Sequence, residues 1–162
     1  MAISQTDLRN AARQSTRTVA KSASQRTAFL CHSHTDRDLA EGLQVRLKEQ
    51  GFDLYIDWQD ATMPATPNAE TADKLRSKIV ACDWFLFLAT ANSMASRWCP
   101  WELGYADGKK PRHSIAIVPT SDHQTTHGNE YIALYRYIDS TKGGGIGMFG
   151  PSLNQGVLVG SL

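Results

Sequence analysis

One carboxylate stands in an unusual setting. Ser96-Arg97-Trp98-Cys99-Pro100-Trp101-Glu102-Leu103-Gly104-Tyr105-Ala106 places Glu102 among two tryptophans, a tyrosine, a cysteine and a proline. Ser96 suits a helix start, and Pro100 is tolerated only near a first helical turn. Glu102 therefore falls early in a helix, where the positive end of the macrodipole favours an ionised carboxylate. Trp98, Trp101, Glu102 and Tyr105 are three or four residues apart, so they can share one face. Such a face suits a flat, cationic ring linked to a sugar. A helix glutamate placed only for the dipole is the plainer alternative.

The elements around it set its position. Trp84-Phe85-Leu86-Phe87-Leu88-Ala89 is an unbroken apolar run, as in a strand buried on both faces. Thr90 to Ala95 is small and polar, an expected loop at that strand's carboxyl end. Ligands of open α/β sheets bind in the crevice beyond the carboxyl ends of the strands, so Glu102 is expected at that edge. His32 and Ser33, on the exit loop of a strand over 27–31, and Asp57 and Trp58, ending a strand over 52–56, reach the same edge. His32 and Ser33 suit hydrogen bonds to ribose or phosphate. Trp58 can cover a ring or simply pack its loop onto the domain. Ser96 serves as a ligand contact or as the cap, and Cys99 as a contact or a packing residue. Of the two tryptophans, Trp98 is the expected pocket residue and Trp101 the expected core residue. Arg37 and Arg97 suit phosphate contacts or solvent.

The whole chain narrows the classes. Its 162 residues make one domain, 41% hydrophobic and 20% charged, with a net charge of +1, an ordinary globular composition with no bulk field for nucleic acid. No apolar run approaches the roughly 20 residues of a membrane span, and no secretory leader is expected. Cys31, Cys82 and Cys99 are an odd set without framework spacing, which fits a reducing cytoplasm. The Cys31, His32, His34 grouping matches no usual zinc spacing, so no metal is expected.

Taken in order, residues 1–26 form a basic extension. Arg9, Arg13, Arg17, Lys21 and Arg26 oppose Asp7 alone, a net of +4, while the remainder carries twelve basic and fifteen acidic residues. A helix over 4–22 would align Arg9, Arg13, Arg17 and Lys21 in one stripe, with Leu8, Ala12, Ser15 and Val19 elsewhere. Its weak apolar face suggests a solvated extension or self-association arm; the composition also resembles an organelle transit peptide. From Thr27 the pattern alternates strand and helix, with helices capped at Thr35 and over 69–81, and later strands over 114–118 and 131–138 separated by a polar loop over 120–129. Ala72, Leu75, Ile79 and Val80 are expected to face inward on the 69–81 helix. Alternation of this kind means a parallel sheet covered on both faces. Residues 140–162 read as a glycine-rich, irregular segment with a small element at 157–159.

With these elements placed, residues 27–139 resemble a TIR (Toll/interleukin-1 receptor) domain, a flavodoxin-like α/β fold with a five-stranded parallel sheet. Phe29-Leu30-Cys31-His32-Ser33-His34-Thr35-Asp36 resembles its first box. Leu54-Tyr55-Ile56-Asp57-Trp58 resembles its second strand, and Thr71 to Ile79 its next helix. Ser96 to Leu103 resembles the segment carrying the catalytic glutamate of NAD-consuming members, and Glu130-Tyr131-Ile132-Ala133-Leu134-Tyr135 the last strand of small bacterial TIR proteins. The loop over 57–68 departs from the family by carrying Pro64 and Pro67 in place of a glycine.

The resemblance implies an NAD+ nucleosidase or cyclase with Glu102 as catalytic residue and His32, Ser33, Asp57, Trp58, Ser96, Trp98 and Cys99 as substrate-binding residues. NAD+ would be a substrate, with no cofactor. It further implies TIR–TIR self-association and, by likeness to the Thoeris type of antiphage system, a separate effector that answers to the product. The chemistry agrees. Nicotinamide leaves a cationic pyridinium as a neutral ring, so no general acid is required, unlike the oxygen leaving group of an ordinary glycoside. A single carboxylate can then stabilise the charge that develops on the sugar. Two other readings remain: a non-catalytic TIR–TIR interaction module working through the 57–68 loop, and a nucleoside deoxyribosyltransferase, which also uses a glutamate on sugar–base bonds.

Overall fold

A computed structural model describes residues 2–14, 25–151, 153 and 155–162. Five parallel strands carry the fold: β2 (Arg26–Cys31), β3 (Phe52–Tyr55), β4 (Trp84–Ala89), β5 (Ile115–Ser121) and β7 (Arg136–Ser140), in the spatial order β3-β2-β4-β5-β7. Numbered among themselves these strands run 2-1-3-4-5, the doubly wound order of flavodoxin-like folds, whose switch point lies between the exits of the first and third strands. Here those exits are Cys31 and Ala89.

Alternation along each central strand divides the core. Ala28, Leu30, Leu86, Leu88, Ala116 and Val118 face a cluster built with α2 (Arg37–Lys48). Phe29, Cys31, Phe85, Phe87, Ala89, Ile115 and Ile117 face the other, built with α3 (Ala69–Ala81) and α5 (Trp98–Lys109). Fully burying a large apolar side chain contributes about 1.5–3 kcal/mol, so a strand buried on both faces is held from two sides. A one-residue slip would exchange every face assignment. Cys31, the last residue of β2, is thereby directed to the α5 side.

Several expectations are corrected. The N-terminal helix is α1 (Gln5–Gln14), preceded by β1 (Ile3–Ser4), which pairs in parallel with the end of β5. Ile3 and Leu8 are fully buried in the α2-side cluster, so this stretch is docked rather than solvated. Docking is close: a Cβ on Gly42 of α2 would come within 1.9 Å of the Leu8 carbonyl oxygen. The remainder of the expected 4–22 helix, with Ser15, Arg17, Val19 and Lys21, lies outside the described residues.

The cap before α2 is Asp36, after a short 3-10 turn over His34–Asp36, rather than Thr35. The stretch after β4 is a short helix, α4 (Ala91–Ala95), with a Thr90/Ser93 capping box. Val80 points outward, 53% exposed. The apolar run Tyr131–Tyr135 is a turn that lays Tyr131 edge-on to Phe87, and the strand begins only at Arg136. Within the expected 120–129 loop, β6 (Thr126–His127) pairs with β5. The glycine-rich tail forms a tight turn and two further strands, β8 (Ile146–Phe149) and β9 (Val157–Leu158), which extend the sheet antiparallel from β7. Among the described residues the sheet has nine strands, with β3 at one edge of the five parallel strands and β8 and β9 added beyond β7.

Candidate active site

The switch-point crevice is braced by a carboxylate that sequence reasoning did not assign. Asp36 is 4% exposed. One of its oxygens accepts the Thr90 hydroxyl and the other accepts the Asn92 amide at 2.7 Å. The exits of β2 and β4 are thereby tied across the mouth of the crevice. Thr90 and Ser93 bond each other's backbone amides reciprocally, which fixes α4 and delivers the chain to α5 at a set angle. The polar character of Thr90, Asn92 and Ser93 was the available signal, and it reads equally well as loop.

Glu102 occupies the fifth position of α5. Pro100 sits in the first turn, where a missing N–H costs nothing. Ser96 Oγ accepts the backbone N–H groups of Trp98 and Cys99 at 3.2 and 3.3 Å. It therefore acts as the cap, although Arg97 is the formal boundary residue.

The Glu102 side chain is buried, with the residue 6% exposed. Burial raises its carboxyl well above the ordinary range. The Cys31 thiol opposes that rise as a hydrogen-bond donor, whereas Cys99 and Asp57 add to it. No cation pairs with Glu102 among the described residues. Cys31 lies beneath it, with Sγ 3.7 Å from the Cys99 carbonyl oxygen. Burial, then Cys99 and Glu102, push the Cys31 thiol up. The Cys99 thiol is lowered by its hydrogen bonds to Cys31 and Ser96 against the effect of burial. Cys31 was missed as a site residue, although strand alternation and its place at the end of β2 point to it.

The exit loops supply a second polar group. His32 Nδ1 lies 3.1 Å from the Leu30 carbonyl oxygen, and Nε2 lies 3.8 Å from Asp57 Oδ1. Burial lowers the His32 pKa, and the Asp57 charge counters that. Asp57 Oδ1 accepts the Trp58 backbone N–H at 2.9 Å. The Trp58 ring packs on the α2-side cluster beneath the Arg37 guanidinium, 5.0 Å from its centroid. Among the described residues neither its indole N–H nor His32 Nε2, both buried, has a hydrogen-bond partner. Ser33 pairs with Thr35 at 3.0 Å, and His34 is exposed.

The expected aromatic face is divided. Trp98 and Trp101 meet edge to face at 5.4 Å, and Trp101 stacks on Tyr105 at 6.1 Å. Arg76 of α3 lies over Trp101 at 5.2 Å. Both tryptophans are half-buried and line an open groove of about 350 Å³ with Ala72, Arg76 and Arg97, so Trp101 is not the core residue it was expected to be. Glu102 stands where this stripe meets the buried stripe of Cys99, Leu103 and Ala106. Glu102, Cys31, Cys99, Ser96, Asp57 and His32 therefore come together at the switch point, with Trp98 at its outer margin. Among the described residues no group of three His, Cys, Asp or Glu side chains is arranged to hold a metal, and no helix is long and apolar enough to cross a membrane.

A flavodoxin-like sheet with a buried glutamate at the switch point defines the class, and the comparisons agree. Residues 28–147 match the TIR domain family, and the chain belongs to it. The chain is also 36% identical over 113 residues to the probable 3' cyclic ADP-D-ribose synthase ThsB' of Bacillus cereus (strain MSX-D12). That alignment covers 68% of this chain and 58% of the relative, so the chain spans little more than half the relative's length.

Proposed function

We propose that this TIR domain cleaves the nicotinamide–ribose bond of NAD+ and closes the remaining nucleotide into a cyclic ADP-ribose, with Glu102 as its catalytic residue. The observation that carries the reading is the burial of Glu102 at the switch point without a cation of its own. A substrate bearing a pyridinium charge supplies the missing countercharge, which favours the ionised carboxylate as the substrate enters. The ionised group then faces the positive charge that grows on the ribose as the C1′–N bond breaks. Such preorganised electrostatics are typically the largest single term in catalysis.

The electron pair of the broken bond leaves with nicotinamide, which departs neutral. C1′ is captured by a hydroxyl of the same nucleotide, which gives up its proton as the cycle closes. Capture by water gives ADP-ribose instead. The relative's name as a cyclic ADP-D-ribose synthase supports internal capture. His32, Ser33, Asp57 and Trp58 contact the substrate from the β2 and β3 exits, and Ser96, Trp98 and Cys99 from the start of α5. No separate cofactor takes part. The TIR class supports self-association. The Thoeris likeness supports a cytoplasmic role in bacterial antiphage defence, in which a separate effector responds to the product.

The test is purified protein with NAD+, wild type beside Glu102→Ala, with nicotinamide and nucleotide products read by chromatography and mass. Release in the wild type and its loss in the variant are expected. No release at high protein concentration, with or without extract from phage-infected cells, would overturn the reading in favour of an interaction module.

A further inference from the structure

The strands that extend the sheet beyond β7 carry a cavity of their own. On its own side of the sheet α5 lies over β2 and β4, and β7, β8 and β9 continue the sheet past it. Alternation turns Ile138, Ile146 and Met148 to the α2-side cluster. Tyr137, Asp139, Gly147 and Phe149 therefore face the α5 side. Tyr137 pairs with Phe149, and Asp139 pairs with Gly147, whose other partner is Leu158. Two rows of residues thus cross the added strands and line a cavity of about 560 Å³. Small-molecule pockets run from roughly 300 to 1,000 Å³. β8 stands three strands from β4, about 14 Å at the usual strand spacing, so this cavity is separate from the switch-point crevice.

Its floor is flat and aromatic. Strand side chains ordinarily stand off the sheet. A Cβ on Gly147 would meet the Phe149 ring at 2.8 Å, and one on Gly156 would meet it at 2.1 Å. The ring therefore lies down across both glycines. Tyr137 stacks beside it, with 5.6 Å between centroids and 25° between planes. Asp139, a buried carboxylate, forms one wall. Its Oδ1 accepts the Ser140 backbone N–H at 2.6 Å, and a carboxylate can accept several donors at once. Leu158, exposed at its surface, forms the opposite wall. Lys142 stands on the rim, in the exposed β7–β8 turn that Thr141 N–H closes onto the Gly145 carbonyl oxygen at 2.9 Å.

These parts together select a ligand. A floor of two rings takes a planar aromatic ring by stacking. A carboxylate beside that floor accepts from an amino group on the ring, as it does from the cytosine amine. A lysine on the rim pairs with a phosphate. We infer that this cavity is a second nucleotide site, holding an amino-bearing base on the Tyr137–Phe149 floor, with its amino group on Asp139 and its phosphates at Lys142. This goes beyond the proposed cleavage of NAD+ and does not depend on it.

The experiment is photolabelling of the wild-type protein with 2-azido-ADP, with the labelled residues located by peptide mass. Label is expected within residues 137–158. Unlabelled ADP should displace it about tenfold better than the diphosphate of unsubstituted purine riboside, which lacks the amino group. Phe149→Leu and Lys142→Glu should each reduce the labelling about tenfold, the scale of one stacked base or one charged contact. Lys142→Glu, in an exposed turn, keeps the test open if Phe149→Leu does not fold. Label found only elsewhere, label that withstands either substitution, or equal displacement by the two nucleotides overturns the inference. Label within 137–158 on a protein that releases no nicotinamide from NAD+ would strike the cleavage reading alone.

Discussion

Asp36 and Glu102 are carboxylates buried to nearly the same degree, 4% and 6% exposed, at the ends of elements that meet at one crevice. Their surroundings differ. Asp36 has a hydroxyl on one oxygen and an amide on the other. Glu102 has a thiol, a weak donor, and two neighbours that raise its pKa further. A buried carboxylate with strong donors stabilises the structure that supplies them, and one without them is costly until a ligand arrives. The first fastens the β2 exit to the β4 exit. The second has no such fastening among the described residues.

Four changes test that contrast. The largest effect belongs to Glu102→Gln: nicotinamide release from NAD+ should fall by about a hundredfold or more, while the thermal midpoint stays level or rises. A variant that loses stability and keeps activity would reverse the roles of the two carboxylates. Asp36→Ala should come next, costing about 2–4 kcal/mol in a denaturant titration, because it strands the Thr90 and Asn92 donors.

A pH titration sharpens the difference further. Glu102 has a folded pKa raised above its ordinary value near 4.5. Over the window from that value up to the raised one, the folded state holds more protons than the unfolded state, so stability falls as pH rises. Wild type should lose stability relative to Glu102→Gln across this window and run parallel to it at lower pH. The smallest effect is expected of Cys31→Ala. Losing the thiol donor raises the Glu102 pKa, so the acidic limb of kcat/KM against pH should move to higher pH, with a stability loss of about 1 kcal/mol. An unmoved limb would mean that the thiol does not tune the carboxylate.

The parts legible in the sequence were those with a strong local pattern. The helix over 69–81 and the strand over 84–89 occur as read, since an asparagine cap and an unbroken apolar run are local signals. The placement of Glu102 on the first turns of α5 followed from Ser96 and Pro100. What was not legible depends on partners distant in sequence. The β8 strand contains glycine and exists because β7 offers an unpaired edge, and β9 adds in turn to β8. The Tyr131–Tyr135 run has strand-like composition but covers Phe87 as a turn. Asp36 looks like any acidic residue at a helix start until Thr90 and Asn92 are brought to it from more than fifty residues away. The orphaned Nε2 of His32 needs both the Leu30 carbonyl and the Asp57 distance, and neither is written in the residue types.

The docking of β1 and α1 has a consequence for how the chain folds. Ile3 pairs with Thr120, and the Gln5 side-chain amide donates to the Thr120 hydroxyl across 115 residues of sequence. That hydroxyl in turn donates to the Ala89 carbonyl oxygen at 2.6 Å. Contacts of such long separation pay their loop-closure entropy before they return any stabilisation. During synthesis α1 can meet α2 early, through Leu8 and Gly42, whereas β1 and the Gln5 side chain wait until the fourth parallel strand has emerged. Their pairing with that strand is a late event, and it completes the support behind the β4 exit on which the crevice depends.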